Sequence, residues 1–381
     1  MNIRTIALLS LSALLISCAV KDNDEFRVGV SQCSHDEWRD KMNMEMQREA
    51  MLSHEIVLEI LSADDNSEKQ KEDIRYFIKN KVDLLIVSPN EAGEVTPAVD
   101  EAFDAGIPVV VVDRNVTGDK YTAFISADNS QIGYMQGQYV ADKMKPGSKI
   151  IEIKGLTGST PAIERHNGFL EGLGDADVDI VASVDAGWRP DLSEHLTDSL
   201  LTLYPDVKMI VAQNDPMADG AWRAAEKLYP GNDIMFIGVD ALTGEGLGVV
   251  IGHRGETLDA IINNRMDASI LYPTGGDVVI QTALKILQSR SFARTTVLET
   301  ALIDTSNAHL MNSLSNEIQH QVNMIETLRQ EVTAYWERHS AQTLLLYVTI
   351  VFLVILCSRC FFLGCFLHFL HFTDLVVYFF I

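Results

Sequence analysis

The strongest constraint on the fold is a series of short apolar runs that alternate with helical segments over residues 26–304. The runs cover residues 26–31, 56–61, 82–88, 107–112, 150–153, 180–184, 209–212 and 234–239. Continuous apolar strands separated by helices are typical of parallel sheets that are covered on both faces. The sequence therefore predicts an α/β fold, and a chain of 381 residues has room for two lobes and appended segments.

The charge and the cysteines exclude several classes of partner. The formal net charge is -23 at pH 7, whereas nucleic-acid binding needs clustered Lys and Arg. We therefore expect no nucleic-acid partner and interpret the acidity as a solvated surface. None of the five cysteines is spaced like a zinc site, so no metal or cofactor is expected. Only Cys33 lies in the predicted globular body, which leaves it no partner there for a disulfide.

The N-terminus has the pattern of a secretory signal, with Arg4 followed by an apolar run over residues 6–16. This run is short for a bilayer span. It ends in Leu15-Ile16-Ser17-Cys18, which resembles a lipoprotein signal box. The resemblance implies cleavage before Cys18 and a lipid on its sulfur. We predict a lipoprotein-like signal peptide over residues 1–18, with an uncleaved anchor as the alternative.

The C-terminal part predicts a stalk and a membrane segment. Apolar residues alternate at steps of three and four through 307–342, with one polar seam position, at Met311, Leu314, Ile318, Ile325, Leu328, Val332 and Tyr335. This heptad pattern predicts a coiled coil that pairs two chains, with one amphipathic helix on the body as the alternative. A final strand over 297–303 should lead directly into the stalk. Residues 343–370 are mostly apolar and predict a transmembrane segment.

Polar and aromatic side chains follow the predicted strands at their carboxyl ends, where parallel sheets bind ligands. These candidates are His35, Trp38, Asp113, Arg114, Arg165, Trp188, Asn214, Asp240 and Tyr272. Carboxylates accept hydrogen bonds from hydroxyl groups, guanidinium groups donate them, and Asn214 can do both. Trp38 and Trp188 could sandwich an apolar face. The set fits a neutral, hydroxyl-rich ligand such as a sugar, and it contains no catalytic group.

Several candidates also have a purely structural explanation. Asp113 and Arg114 could form an ion pair within one lobe. Arg165 could cap a helix or pair with Glu164, and Trp188 could belong to the core. His35 is equally consistent with a surface loop.

Several motifs together resemble the ribose/galactose-type periplasmic binding proteins (type I), whose body the LacI-type regulators share. They are residues 28–31 and 83–89, Gly106-Ile107-Pro108-Val109 with Asp113-Arg114, Ala212-Gln213-Asn214-Asp215, and Gly238-Val239-Asp240. The resemblance covers about residues 26–304. It implies two Rossmann-like lobes joined by a hinge of three crossover strands. Lobe 1 would comprise about 26–126 and 273–299, and lobe 2 about 127–272.

The resemblance also implies a function, the binding of a small monosaccharide in the cleft between the lobes. The family's sugar contacts would fall on the nine candidates above. Two positions depart from the family pattern. Glu37 stands where paired aromatics are usual, and Val239 stands where an aromatic residue often precedes the final Asp. The identity of the sugar is therefore left open.

Residues 272–276 and the stalk resemble a subgroup in which this body is the sensor half of a hybrid two-component histidine kinase. The resemblance implies a periplasmic sensor anchored in the inner membrane, with sugar closing the lobes. Neither a phosphoacceptor helix nor an ATP lid is recognisable, so the receptor is expected to be truncated.

Three other functions agree with only part of the sequence. A substrate-binding lipoprotein of a sugar ABC transporter is the main alternative, which the leader favours. A LacI-type regulator needs a helix-turn-helix where the signal sequence stands. A glycosidase needs paired carboxylates, and the strand-end arginines should hold Asp113 and Asp240 ionised, which does not suit a general acid. We therefore expect no enzymatic activity.

Overall fold

The computed structural model describes residues 25–242, 256–314, 316–317, 320, 323–324, 327–328, 330–335 and 338–339. Residues up to Asn316 belong to one compact unit and those from Glu317 to a second. The predicted signal peptide with Cys18 and the predicted transmembrane segment over 343–370 lie outside the described residues. Among the residues that are described, no helix is long and apolar enough to cross a membrane.

The first sheet consists of six parallel strands. They are β1 (Phe26–Gln32), β2 (Ile56–Ser62), β3 (Leu84–Val87), β4 (Val109–Val112), β5 (Ala123–Ala127) and β11 (Thr295–Leu298). Their order in the sheet is β11-β5-β4-β3-β1-β2. Helices α1 (Glu37–Ser53), α2 (Ser67–Lys79), α3 (Ala92–Asp104) and α9 (Gly276–Leu287) accompany them. Strands β3 and β4 are buried along their whole length, as expected for apolar strands covered on both faces.

The second sheet also has six strands. They are β6 (Ser148–Lys154), β7 (Val178–Asp185), β8 (Val207–Ala212), β9 (Met235–Asp240), β10 (Ala268–Leu271) and β12 (Leu302–Asp304). Their order is β12-β10-β9-β8-β6-β7, and only β12 runs antiparallel to its neighbour. The accompanying helices are α4 (Asn129–Lys143), α5 (Thr160–Leu173), α6 (Pro190–Leu203), α7 (Asp215–Leu228) and α8 (Glu256–Ile262). The predicted fold of two α/β lobes with mainly parallel sheets is confirmed.

The chain passes between the two sheets three times, between β5 and α4, between β10 and α9, and between β11 and β12. The expectation of one final strand over 297–303 was wrong, because this segment forms two strands in different sheets. Leu271 N donates to Ala301 O (2.8 Å), and Thr300 Oγ1 donates to Leu271 O (2.6 Å). Two hydrogen bonds therefore connect the third crossing to the second.

Helices α4 and α5 pack at very close range beside the cavity described below. A Cβ atom on Gly133 would lie 2.0 Å from the carbonyl oxygen of Arg165, and one on Gly168 would lie 2.1 Å from that of Ser130. Only glycine allows two backbones to approach so closely. This packing fixes α5, and with it Arg165, against the helix that follows the first crossing.

The described residues after 307 are helical. Of the predicted heptad seam, Leu314, Val332 and Tyr335 are 49–54% exposed in the single chain. Ile318 and Ile325 lie outside the described residues. The coiled coil therefore stays a prediction.

Candidate functional site

A cavity of about 530 Å³ lies between the lobes at the carboxyl ends of the strands. All nine candidate residues from the sequence line it, namely His35, Trp38, Asp113, Arg114, Arg165, Trp188, Asn214, Asp240 and Tyr272. Its volume is typical of small-molecule sites. The cavity is also lined by Asp36, Glu37 and Arg39, which are not among the candidates from the sequence.

The two lobes contact each other directly beside the cavity. Ala92 N donates to Gly158 O (3.2 Å), and Asn115 N donates to Thr160 Oγ1 (2.9 Å). The donors follow β3 and β4 of the first sheet, whereas the acceptors lie in the loop after β6 and at the first residue of α5. The two lobes therefore touch at this side of the cavity.

Asp113 is held by the protein at both carboxylate oxygens. Its Oδ1 accepts from the Tyr272 hydroxyl (2.7 Å), and its Oδ2 accepts from Arg39 Nη2 (2.7 Å). Arg114 Nε is farther away, at 3.8 Å from Oδ2, and Arg114 Nη1 donates to Asn90 O (2.9 Å). An ion pair within lobe 1 does exist, but its closest cation is Arg39 rather than Arg114.

The environment of the Asp240 carboxylate differs from that of the hydrogen-bonded Asp113 carboxylate. The residue is 7% exposed, and its carboxylate accepts no hydrogen bond from any residue that the structure describes. Burial and the neighbouring Asp215 carboxylate raise the pKa of Asp240 well above its usual value, although Arg165 acts in the opposite direction. The expectation that nearby arginines hold this carboxyl group ionised was therefore wrong, because its desolvation outweighs their attraction.

Arg165 lies inside α5 rather than at its end, so it does not cap the helix. It is 2% exposed. Its Nε donates to Asn129 Oδ1 (2.9 Å), and its Nη1 donates to Gln213 O. The guanidinium group also lies 4.8 Å from the ring centroid of Tyr272 and 5.6 Å from that of Trp188. Arg165 thus connects α4, β8 and the second crossing.

The two tryptophans do not form the expected sandwich. Trp38 stacks on Tyr272, with ring centroids 5.1 Å apart and an interplanar angle of 14°. Trp38 Nε1 donates to Tyr272 O (3.0 Å), and the Arg39 guanidinium lies 5.4 Å from the Trp38 ring centroid. Protein groups therefore cover Trp38, which forms a wall of the cavity. Trp188 packs over Gly155, where a Cβ atom would lie 2.2 Å from the indole ring.

Three residues of the site have left-handed backbone conformations that side chains rarely adopt. They are Asp113 (φ 61°), Trp188 (φ 68°) and Asp240 (φ 128°). Such strain costs about 1–3 kcal/mol per residue and concentrates at functional sites. The three residues lie at or just beyond the carboxyl ends of β4, β7 and β9.

Asn214 and His35 have smaller roles than expected. Asn214 Oδ1 accepts from Met217 N (3.0 Å) and caps α7, so only its Nδ2 group is left for a ligand. The His35 side chain is 63% exposed, with Nδ1 at 3.2 Å from Asp40 Oδ1. This position agrees with a surface loop at the edge of the cavity.

Asp215 orders the end of β9. Its Oδ2 accepts from Ala241 N (2.7 Å), and its Oδ1 accepts from Ser269 Oγ (2.8 Å). Burial raises the pKa of Asp215 to about 7, although these hydrogen bonds act in the opposite direction. A Cβ atom on Gly238 would lie 2.0 Å from Asp215 Oδ1, so glycine is required there.

Comparison with known proteins decides the family. Residues 28–290 match the family described as periplasmic binding protein domain. The chain belongs to this family. The ribose import binding protein RbsB of Bacillus subtilis is 32% identical over 181 residues, which are 48% of this chain and 58% of that protein. RbsB of Escherichia coli is 32% identical over 183 residues, or 48% and 62% of the two chains. This periplasmic binding protein thus spans about three fifths of the length of these relatives.

Solved periplasmic binding proteins show the same architecture. The fructose-binding periplasmic domain of a hybrid two-component system is 42% identical, with a TM-score of 0.76, and covers 81% of this chain and 100% of that one. A Mycobacterium smegmatis protein in complex with β-D-fucofuranose is 26% identical, with a TM-score of 0.70, and covers 78% and 97%. The resemblance stated from the sequence is confirmed.

Proposed function

We propose that this periplasmic binding protein binds a small monosaccharide in the cavity between its lobes. The observation that carries the proposal is the buried Asp240 carboxylate, which has no donor among the described residues although it lines the cavity. A sugar supplies hydroxyl donors to Asp240 and oxygen acceptors for Arg165 and for the Asn214 amide. Trp188 offers an aromatic ring to the apolar face of the ligand.

The remaining candidates complete the proposed site. Asp113, Arg114, Trp38 and Tyr272 form its wall on the lobe 1 side, and His35 lies near its edge. D-fructose is the first ligand to test, because the 42% identical solved domain is a fructose-binding one. The proposal is one of binding, with no chemical conversion of the sugar.

The proposed output is signalling across the inner membrane. The same solved domain belongs to a hybrid two-component system, which supports a sensor. Strand β12 belongs to lobe 2 and is followed directly by the helical residues 308–314, so a change in lobe arrangement reaches this helix. Sugar shifts the equilibrium only if it binds the closed form more tightly. The ribose import relatives support the alternative, the substrate-binding lipoprotein of an ABC transporter.

The sugar-binding proposal predicts a ligand-dependent gain in stability. D-fructose at about 100 times its Kd should stabilise the full-length protein by about 2.7 kcal/mol, which raises the Tm by several degrees. Asp240→Asn should lose this shift, because it removes the carboxylate that is proposed to accept from the sugar, at nearly constant shape. Thermal unfolding with D-fructose, D-ribose and D-galactose measures the effect.

The matched control is Asp206→Asn, which changes an exposed carboxylate of lobe 2 that pairs with Lys149 at 2.8 Å. It should keep the wild-type shift. A cooperatively melting wild type that responds to none of these sugars would contradict the proposal.

The sensor proposal includes a dimer through the stalk, with an anchor over residues 343–370 and a lipid on Cys18. Deletion of 307–342 should leave sugar binding unchanged and convert the dimer to a monomer, because the seam would be lost. Analytical ultracentrifugation of both chains checks this. A deleted chain that still dimerises would show that the contact lies elsewhere and would favour the transport alternative.

A further inference from the structure

Arg39 is a buried cation whose contacts go to lobe 1. It lies in the first turn of α1, directly after Trp38, and is 6% exposed. Nη2 donates to Asp113 Oδ2 (2.7 Å), Nη1 donates to Asp36 Oδ2 (2.9 Å), and Nε donates to Cys33 Sγ (2.9 Å). Each of its three nitrogens therefore has a protein partner, which leaves Arg39 poorly placed to recognise a ligand itself.

The charge on Arg39 is stabilised by these neighbours. Burial disfavours the charge, but Asp36, Cys33 and Asp113 outweigh it and raise the pKa of Arg39 well above its usual value. The same Asp36 caps α1, because its side chain accepts from Arg39 N (2.9 Å). Arg39 thus connects the start of the helix to the end of β4.

Asp113 depends on this connection. Its backbone is strained at φ 61°, and its side chain is 5% exposed. Arg39 holds one carboxylate oxygen and the Tyr272 hydroxyl holds the other. Without Arg39, the nearest cation to Asp113 Oδ2 would be Arg114 Nε at 3.8 Å, and weakening a buried ion pair in this way is unfavourable. The Tyr272 hydroxyl would still hold Oδ1, but Oδ2 would lose its shortest hydrogen bond.

We propose that Arg39 is the positioning residue for the lobe 1 half of the sugar site and acts through Asp113 rather than through contact with sugar. The inference rests on the proposed function. It assigns a role in affinity to a residue that reaches the ligand only through another side chain.

The test is a double-mutant cycle on the full-length protein, with D-fructose as the probe and titration calorimetry as the readout. Arg39→Met should weaken binding by at least about tenfold. Arg39→Met combined with Asp113→Asn should bind within about twofold of Asp113→Asn alone, because the two residues act as one unit. Arg39→Lys keeps the charge and should recover part of the affinity. Arg75→Met, which removes an exposed arginine paired with Glu101 at 2.8 Å, should match the wild type.

The outcomes separate this inference from the proposed function. A wild-type protein that binds no sugar contradicts the proposed function and, with it, the inference about Arg39. A wild type that binds fructose, with losses that multiply in the double variant, overturns the inference alone, because Arg39 then acts independently of Asp113. Unchanged binding by Arg39→Met overturns it as well. If Arg39→Met does not fold, the same cycle is measured with Arg39→Lys.

Discussion

Replacing Arg165 with methionine should weaken D-fructose binding by at least about 100-fold, which corresponds to about 2.7 kcal/mol. Hydrogen bonds to charged groups contribute about 1.5–3 kcal/mol each. The variant loses the bonds from Arg165 to Asn129 Oδ1 and to Gln213 O as well as its ring contact with Tyr272. It loses the proposed sugar donor at the same time. Isothermal titration of wild type and variant measures the change in Kd.

Arg189→Met is the matched control, because Arg189 is an exposed arginine of lobe 2 paired with Asp191 at 2.5 Å. It should bind fructose as the wild type does. A folded Arg165→Met protein with a Kd within about threefold of wild type would show that Arg165 is structural only, since a donor to the sugar is worth more than that. In that case we would assign the role of hydrogen-bond donor to the sugar to Arg114.

The parts of the fold that the sequence predicts are those with local patterns. Residues 84–87 and 107–112 are continuous apolar runs, and they contain strands β3 and β4, which are buried along their whole length. Because parallel strands place their carboxyl ends along one edge, polar residues after them meet in space. This geometry is why all nine candidates line one cavity although they are spread over residues 35–272.

The parts that the sequence does not predict depend on distant partners. Arg39 follows Trp38 on a helix and resembles any solvated helical arginine, yet its ion-pair partner Asp113 lies 74 positions away. The stack of Trp38 on Tyr272 joins residues 234 positions apart. No local pattern indicates this pairing, and the sequence therefore led to the prediction that Trp38 and Trp188 sandwich the ligand. Strand β5, Ala123–Ala127, was not predicted, because its small and polar residues interrupt the apolar pattern.

The affinity for sugar should rise with pH over the range in which Asp240 loses its proton. In the unliganded protein, burial and Asp215 raise the pKa of Asp240 well above its usual value, although Arg165 acts in the opposite direction. Hydroxyl groups that donate to the carboxylate favour its ionised form. Binding therefore releases a proton, and the Kd should fall by up to about tenfold per pH unit within this window. Asp240→Asn should remove the pH dependence together with most of the affinity.

The unliganded protein should show the opposite trend in stability. Burial raises the pKa of Asp215 to about 7 in the folded protein, whereas an unfolded Asp titrates near 3.9. Between these values the native state holds a proton that the unfolded state has lost. The free energy of unfolding should therefore decrease as pH rises from about 4 to 7. Asp215→Asn should flatten this decrease, as measured by urea unfolding at several pH values.

Titration calorimetry in two buffers of different ionisation enthalpy counts the protons released by fructose. A count near zero at every pH tested would mean that Asp240 does not receive the sugar hydroxyls, because their donation is what expels the proton.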